Sequence, residues 1–227
     1  MKGFNLKYLA LIIIILLLVL IIFLVTATKN SSPSTEGQNN SIATNNNSLP
    51  VPAENLSAKN QKTIAEPISN ALARVTKKPF GIYVSPTDSP VSPEKFTGYH
   101  AGVDFETFSD EQNSEVAIYV ICSGPLVLKK SATGYGGVAV QQCQINGKDV
   151  TVIYGHLRLN SITAIQDQLL NVGEQLGILG KGYSPETSDE RKHLHLGIHQ
   201  GKNINLLGYV QNQEELSQWL DVTNLLK

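Results

Sequence analysis

The chain has 227 residues with 18 Lys and Arg against 19 Asp and Glu, a net charge of −1 and a pI near 6.5. That length allows one moderate domain plus appendages. The near-neutral balance offers no basic footprint of the kind duplex binding needs, which argues against nucleic acid as a partner.

The first segment meets lipid. From Leu9 to Val25 the run LALIIIILLLVLIIFLV holds no polar or charged residue, and with Thr26 to Thr28 it approaches the roughly 20 residues a membrane helix needs. Lys2 and Lys7 precede it while only Lys29 follows closely, so the amino terminus is expected to stay cytoplasmic and the remainder to cross. Val25-Thr26-Ala27 also resembles a small-residue cleavage site. The apolar core is longer than the ~7–15 residues of a signal peptide, which favours an uncleaved anchor over residues 1–28 and a cell-membrane, single-pass protein; cleavage would make it secreted.

Residues 29–66 are rich in Asn, Ser, Pro and Thr and lack apolar periodicity, the composition of a disordered tether. Its random-coil span would be roughly 30–35 Å. Residues 67–227 change to short β-rich runs separated by glycine and proline, and predict a mainly β head built on antiparallel sheet. EVAIYVICSG and PLVLKK read as strands around a turn at Ser123-Gly124-Pro125, followed by GGVAVQQCQI, KDVTVIYGHL and LGILG. Asn146-Gly147 is the strongest hairpin signal. ITAIQDQLL reads as a weak helical or extended piece. QNQEELSQWLDVTNLL closes the chain with Leu216, Trp219 and Leu220 at helical spacing, a packing stripe in which Trp219 could alternatively serve as a sugar-stacking platform. Cys122 and Cys143 fall on neighbouring runs, and export would favour a bridge over two thiols.

Four of the five histidines, His100, His156, His193 and His195, fall in three elements that could build one site. In RKHLHLGIH, His193, His195 and His199 alternate with Leu194, Leu196 and Ile198, so a strand would project the histidines to one face. In GYHAGVDFET, His100 and Asp104 would lie ~13 Å apart along a straight strand. Sharing an ion therefore requires a bend, for which Gly102 and Gly98 supply backbone freedom. In VIYGHL, His156 follows Gly155. One shared site explains these placements more economically than four separate structural roles. Three protein ligands plus water is the usual catalytic zinc arrangement, and His100, Asp104 and one of His193 and His195 meet that count. The other member of the pair could take a proton from the water, whose acidity zinc raises, and return it to a leaving amine.

In this order, HAGVD, GYGG, YGHL and HLHLGI resemble the lysostaphin-type (LytM-like) zinc metallopeptidases that cut peptidoglycan cross-bridges, over roughly Pro79 to Ile198. The resemblance implies a duplicated-hybrid-motif β fold with a substrate groove and one zinc ion held by His100, Asp104 and His195. It also implies His193 as general base and His156 as a catalytic histidine that orients or stabilises the transition state. His199 matches no position of the family and is expected to be an exposed strand residue. The expected partners are peptidoglycan peptide stems and cross-bridges and the membrane, with a monomeric head. Two departures stand out. The segment before the H-x-H strand, GKGYSPETSDERKH, is charged where the family has Gly, Ser and Thr, and SPVSPEKFTG carries no tyrosine, leaving Tyr99 and Tyr154 as nearby candidates. A catalytically silent wall-binding or hydrolase-activating module and a D-Ala-D-Ala carboxypeptidase are the competing readings. Retention of all three ligands and both catalytic histidines favours the endopeptidase.

Overall fold

The computed structural model describes residues 64–227. The expected anchor and all but the last residues of the expected linker lie outside the described residues, among which no helix is long and apolar enough to cross a membrane. The packed part begins with the described chain itself. Ile64 is buried, and Ala65 donates its N–H to the Ile121 carbonyl at 2.9 Å.

The architecture is mainly β. In chain order the strands are β1 (Tyr83–Val84), β2 (Gly98–His100), β3 (Val103–Glu106), β4 (Ala117–Tyr119), β5 (Gly124–Ala132) and β6 (Gly136–Ile145). They continue with β7 (Lys148–Gly155), β8 (Leu169–Leu170), β9 (Gln175–Ile178), β10 (His193–Gln200) and β11 (Tyr209–Val210). A six-stranded antiparallel sheet runs β3-β10-β7-β6-β5-β8, beside a three-stranded sheet β1-β2-β11 and the pair β4-β9.

The β6–β7 hairpin closes where the sequence predicts. Ile145 pairs with Lys148, and Asn146 and Gly147 take φ of 52° and 74°. Two consecutive positive φ values are the signature of the type I′ turn, whose twist matches that of the flanking strands. Alternation then sorts each strand between two apolar layers. Val150, Val152 and Tyr154 of β7 join Leu194, Leu196 and Ile198 of β10 in the main core, while Val138, Val140 and Ile153 face a second cluster with Val210, Leu216 and Trp219. Burying each such aliphatic side chain stabilises the fold by about 1.5–3 kcal/mol. Covering both faces explains why β10 is buried from His193 to Ile198, with the histidines and Gly197 on the side of the second layer.

Three sequence expectations change in detail. Gly124 and Pro125 are strand residues, not turn residues: they pair with Leu170 and Leu169, and the bend falls at Ile121 and Cys122. Pro125 is the second residue of β5 and precedes a register shift at Leu126–Leu128, where a residue without an N–H is tolerated. ITAIQDQLL is irregular except for Leu169–Leu170, with Asp167 turning the chain at φ 66°. The closing helix is a single turn, α1 (Gln213–Leu216), capped by Asn212 Oδ1 accepting from Glu215 N at 2.8 Å. It stops because its continuation is drawn into pairing with β10. Gln200 N donates to Gln218 O and Leu220 N donates to Ile198 O, each at 2.9 Å, and these bonds compete with further helical turns. Trp219 is buried in the second cluster, as a packing residue would be. Cys122 and Cys143 are bridged, with Cα atoms 6.1 Å apart.

Candidate metal centre

His100 ends β2, the chain bends at Ala101-Gly102, and Asp104 lies on β3. The bend has the sequence-expected location but a different cause. Gly102 does not take a positive φ; instead, a Cβ there would lie 2.7 Å from both His195 Nε2 and the Leu196 carbonyl oxygen. Glycine is required because another strand and an imidazole approach its Cα. Register completes the assembly: β10 pairs His195 with Asp104 on one side and with Gly155 on the other. His156 follows Gly155 with φ 63°, a left-handed conformation uncommon for a residue with a side chain and frequent at functional sites.

Three ligand atoms converge. His100 Nε2, His195 Nδ1 and Asp104 Oδ1 are separated by 3.0, 3.1 and 3.2 Å, and all three residues are buried. Corners of a tetrahedron drawn at the Zn–N distance of ~2.0–2.1 Å are about 3.3 Å apart, so the donor set fits a zinc-sized ion in both spacing and chemistry. The ring protons agree. His100 Nδ1 lies 3.2 Å from the Pro79 carbonyl oxygen, which can only accept, so the proton sits on Nδ1 and Nε2 keeps its lone pair. The same logic gives His156 its proton on Nδ1, facing Thr187 O at 3.2 Å, whereas His193 faces an acceptor at each ring nitrogen, Arg191 O at 2.9 Å from Nδ1 and Asp104 Oδ2 at 3.3 Å from Nε2. The His156 and His193 rings stand 4.3 Å apart by centroids.

The electrostatics favour an anionic Asp104 carboxylate and neutral His195 and His156. Burial pushes the Asp104 carboxyl up, but the attraction of His193 and His100 and the hydrogen bonds they make to it outweigh burial and hold it well below the usual carboxylate range. Burial drives His195 down to about 4, against the pull of Asp104. Burial, reinforced by His193, likewise keeps His156 well below the ordinary imidazole range.

The site opens onto a cavity of about 320 Å³ whose lining includes Phe96, Tyr135, His156, His193, Leu207 and Tyr209. A larger hollow of about 540 Å³ lies beside the disulfide, but its only titratable side chains, Asp149 and Lys202, face each other at 3.4 Å. The histidine-lined cavity is the one that meets the three-atom cluster. Tyr135 and Tyr209 line it without having been singled out in the sequence, although Tyr135 lies inside the quoted GYGG. The Tyr135 hydroxyl is buried without a hydrogen-bond partner, and the Tyr209 hydroxyl accepts from Lys78 Nζ at 2.9 Å. The two tyrosines flagged beforehand are elsewhere. Tyr154 hydrogen-bonds Gln141 and Ile121 N inside the main core, and Tyr99 packs edge-on against Tyr83. His199 is half-buried instead of exposed, because its ring stands edge-on to Trp219 at 4.9 Å. It takes no part in the cluster.

No family model and no curated protein matches the chain. Among solved structures it is similar to Csd3 from Helicobacter pylori, with 19% identity and a TM-score of 0.40, over 66% of this chain and only 35% of Csd3. It is also similar to a candidate glycyl-glycine endopeptidase, lytM, from Ruminococcus gnavus, with 16% identity and a TM-score of 0.38, over 60% of this chain and 57% of that one. A third similar structure is the complex of SpoIIIAH and SpoIIQ, with 16% identity and a TM-score of 0.45, over 67% of this chain and 98% of that one.

Proposed function

We propose that the chain is a zinc-dependent endopeptidase that hydrolyses amide bonds in peptidoglycan peptide cross-links. The observation that carries this reading is the convergence of His100, Asp104 and His195 on one ion-sized position, with two further histidines facing the same cavity. Zinc, when bound, would supply Lewis acidity that activates a water and polarises a carbonyl. The protein's own groups do the rest. His193 is oriented by the contact of its Nδ1 with Arg191 O and lines the cavity, so its Nε2 can take the proton from the attacking water and hand it to the leaving amine. His156, held through Nδ1 by Thr187 O, stands beside His193 with ring centroids 4.3 Å apart. It can orient the water or the carbonyl. Phe96 and Leu207 give the cavity apolar walls against which a peptide can seat.

The motif resemblance supplies the substrate class, and the apolar amino-terminal run supplies the location: a head held outside the membrane, in reach of the wall. Incubating the chain with zinc and cross-linked peptidoglycan should release free amines as cross-links are lost. Release of terminal D-alanine with cross-links intact would mark a carboxypeptidase. No release from folded, zinc-loaded protein would mark a wall-binding or activating module.

A further inference from the structure

Arg191 lies two residues before His193 and outside the three-atom cluster, yet its guanidinium is turned inward onto two acids of β3. Asp104 and Glu106 are two apart on that strand and share a face. Arg191 Nη2 donates to Asp104 Oδ2 at 2.9 Å and to Glu106 Oε1 at 2.5 Å, and its Nε lies 3.0 Å from both Glu106 oxygens. Only 11% of the side chain is exposed, so solvent screens these bonds little.

The two oxygens of Asp104 therefore have different commitments. Oδ1 faces His195 Nδ1 and His100 Nε2 at 3.1 and 3.2 Å, whereas Oδ2 is taken by Arg191 and stands 3.3 Å from His193 Nε2. A carboxylate free to turn about its last torsion could offer a cation both oxygens, or swing one fully onto His193. With Oδ2 tied it has one to give. We infer that Arg191 is a positioning residue that commits Asp104 to ligation through Oδ1 alone, at the metal centre proposed above, on which this inference rests. The fork explains why arginine occupies the position. Glu106 anchors one side of a planar group whose other side reaches Asp104, and a lysine ammonium cannot span both at fixed angles. The same residue also sets the neighbouring ring, because its carbonyl oxygen lies 2.9 Å from His193 Nδ1.

The test uses the full-length chain, stripped of metal and titrated with zinc against a chromophoric chelator, then with cobalt. The wild type should bind one equivalent and give the intense visible bands of a four-coordinate centre. Arg191→Gln and Arg191→Lys, with folding verified by circular dichroism, should bind zinc about 10–100-fold more weakly. Their cobalt bands should weaken and shift as Asp104 takes up two-oxygen ligation. Lysine keeps the charge, so its failure to restore the spectrum separates orientation from charge; should Arg191→Gln fold poorly, the lysine variant alone carries the comparison. Wild-type affinity and an unchanged cobalt spectrum in the folded variants would overturn the positioning role. Undiminished zinc binding by Asp104→Ala would instead remove the metal centre itself.

Discussion

His193 Nε2 and Asp104 Oδ2 stand 3.3 Å apart, yet only Asp104 belongs to the group that can hold an ion. The two side chains touch while offering different atoms to different tasks. Their substitutions should separate cleanly. His193→Ala is expected to keep zinc and lose about 10²–10⁴-fold in activity, the usual contribution of a positioned acid–base group. Asp104→Ala should lose both zinc and activity. The check is zinc content by atomic absorption beside the rate of amine release, and equal zinc loss in the two variants would refute the division of roles.

Gly102 gives a second expectation, because it holds the site together without contributing a functional atom. A methyl group there would lie 2.7 Å from both His195 Nε2 and the Leu196 carbonyl. The carbonyl belongs to the paired backbone of β10 and cannot rotate away, so β3 and β10 would have to separate. Gly102→Ala should cost about 1–3 kcal/mol, and the ligands should lose their spacing. Denaturant unfolding and zinc titration would show both effects; a variant with unchanged stability would mean that the strands have slack at this bend.

What was legible in the sequence follows from what is local. Alternation of histidine with leucine in HLHLGI is a backbone period, and the strand it predicts is β10. Asn146-Gly147 names its own turn because positive φ is a property of those residues. The groups that reach the cavity from elsewhere have no such signal. Tyr209 sits on a two-residue strand, Tyr135 in a hairpin tip, and Arg191 in a charged loop, each brought in by pairings between distant segments. The closing helix failed for a related reason. Leu216, Trp219 and Leu220 do pack as apolar residues, but the hydrogen bonds of Gln218 and Leu220 go to β10, and a periodic pattern carries no information about which partner claims the backbone. The place of Gly102 at the bend is legible, but its cause is the close approach of another strand, which cannot be read from its neighbours in sequence.

The disulfide ties the bend just before β5 to β6 with a sequence separation of 21. Closing a loop of that size restricts the unfolded chain by about 3 kcal/mol in the entropic account. Cys122→Ser with Cys143→Ser, or reduction, should lower stability by that order and leave zinc affinity unchanged, because neither sulfur approaches the histidine-lined cavity. Unfolding curves with and without reductant test the first part, and chelator competition tests the second. A loss of zinc affinity matching the loss of stability would show that the two regions are coupled.

Acid should destabilise the metal-stripped fold, and the sign can be worked out group by group. In the unfolded chain a histidine takes up a proton near 6.5, whereas burial holds folded His195 down to about 4 and folded His156 well below its ordinary value. Between those values the unfolded state binds more protons, so stability is fully present above about 6.5 and declines as the pH falls toward 4. The 6.5-to-4 displacement of His195 alone corresponds to a loss of about 3 kcal/mol at the acid end of that window. Asp104 acts in the same direction at lower pH. Its carboxyl is held well below 3.8, so its contribution is complete above that value and is lost only on further acidification. Denaturant unfolding in the presence of chelator, repeated from pH 7.5 to 4, should show this decline, and His195→Gln should flatten part of it. A stability unchanged between 6.5 and 4.5 would mean that the two imidazoles are not held neutral by burial.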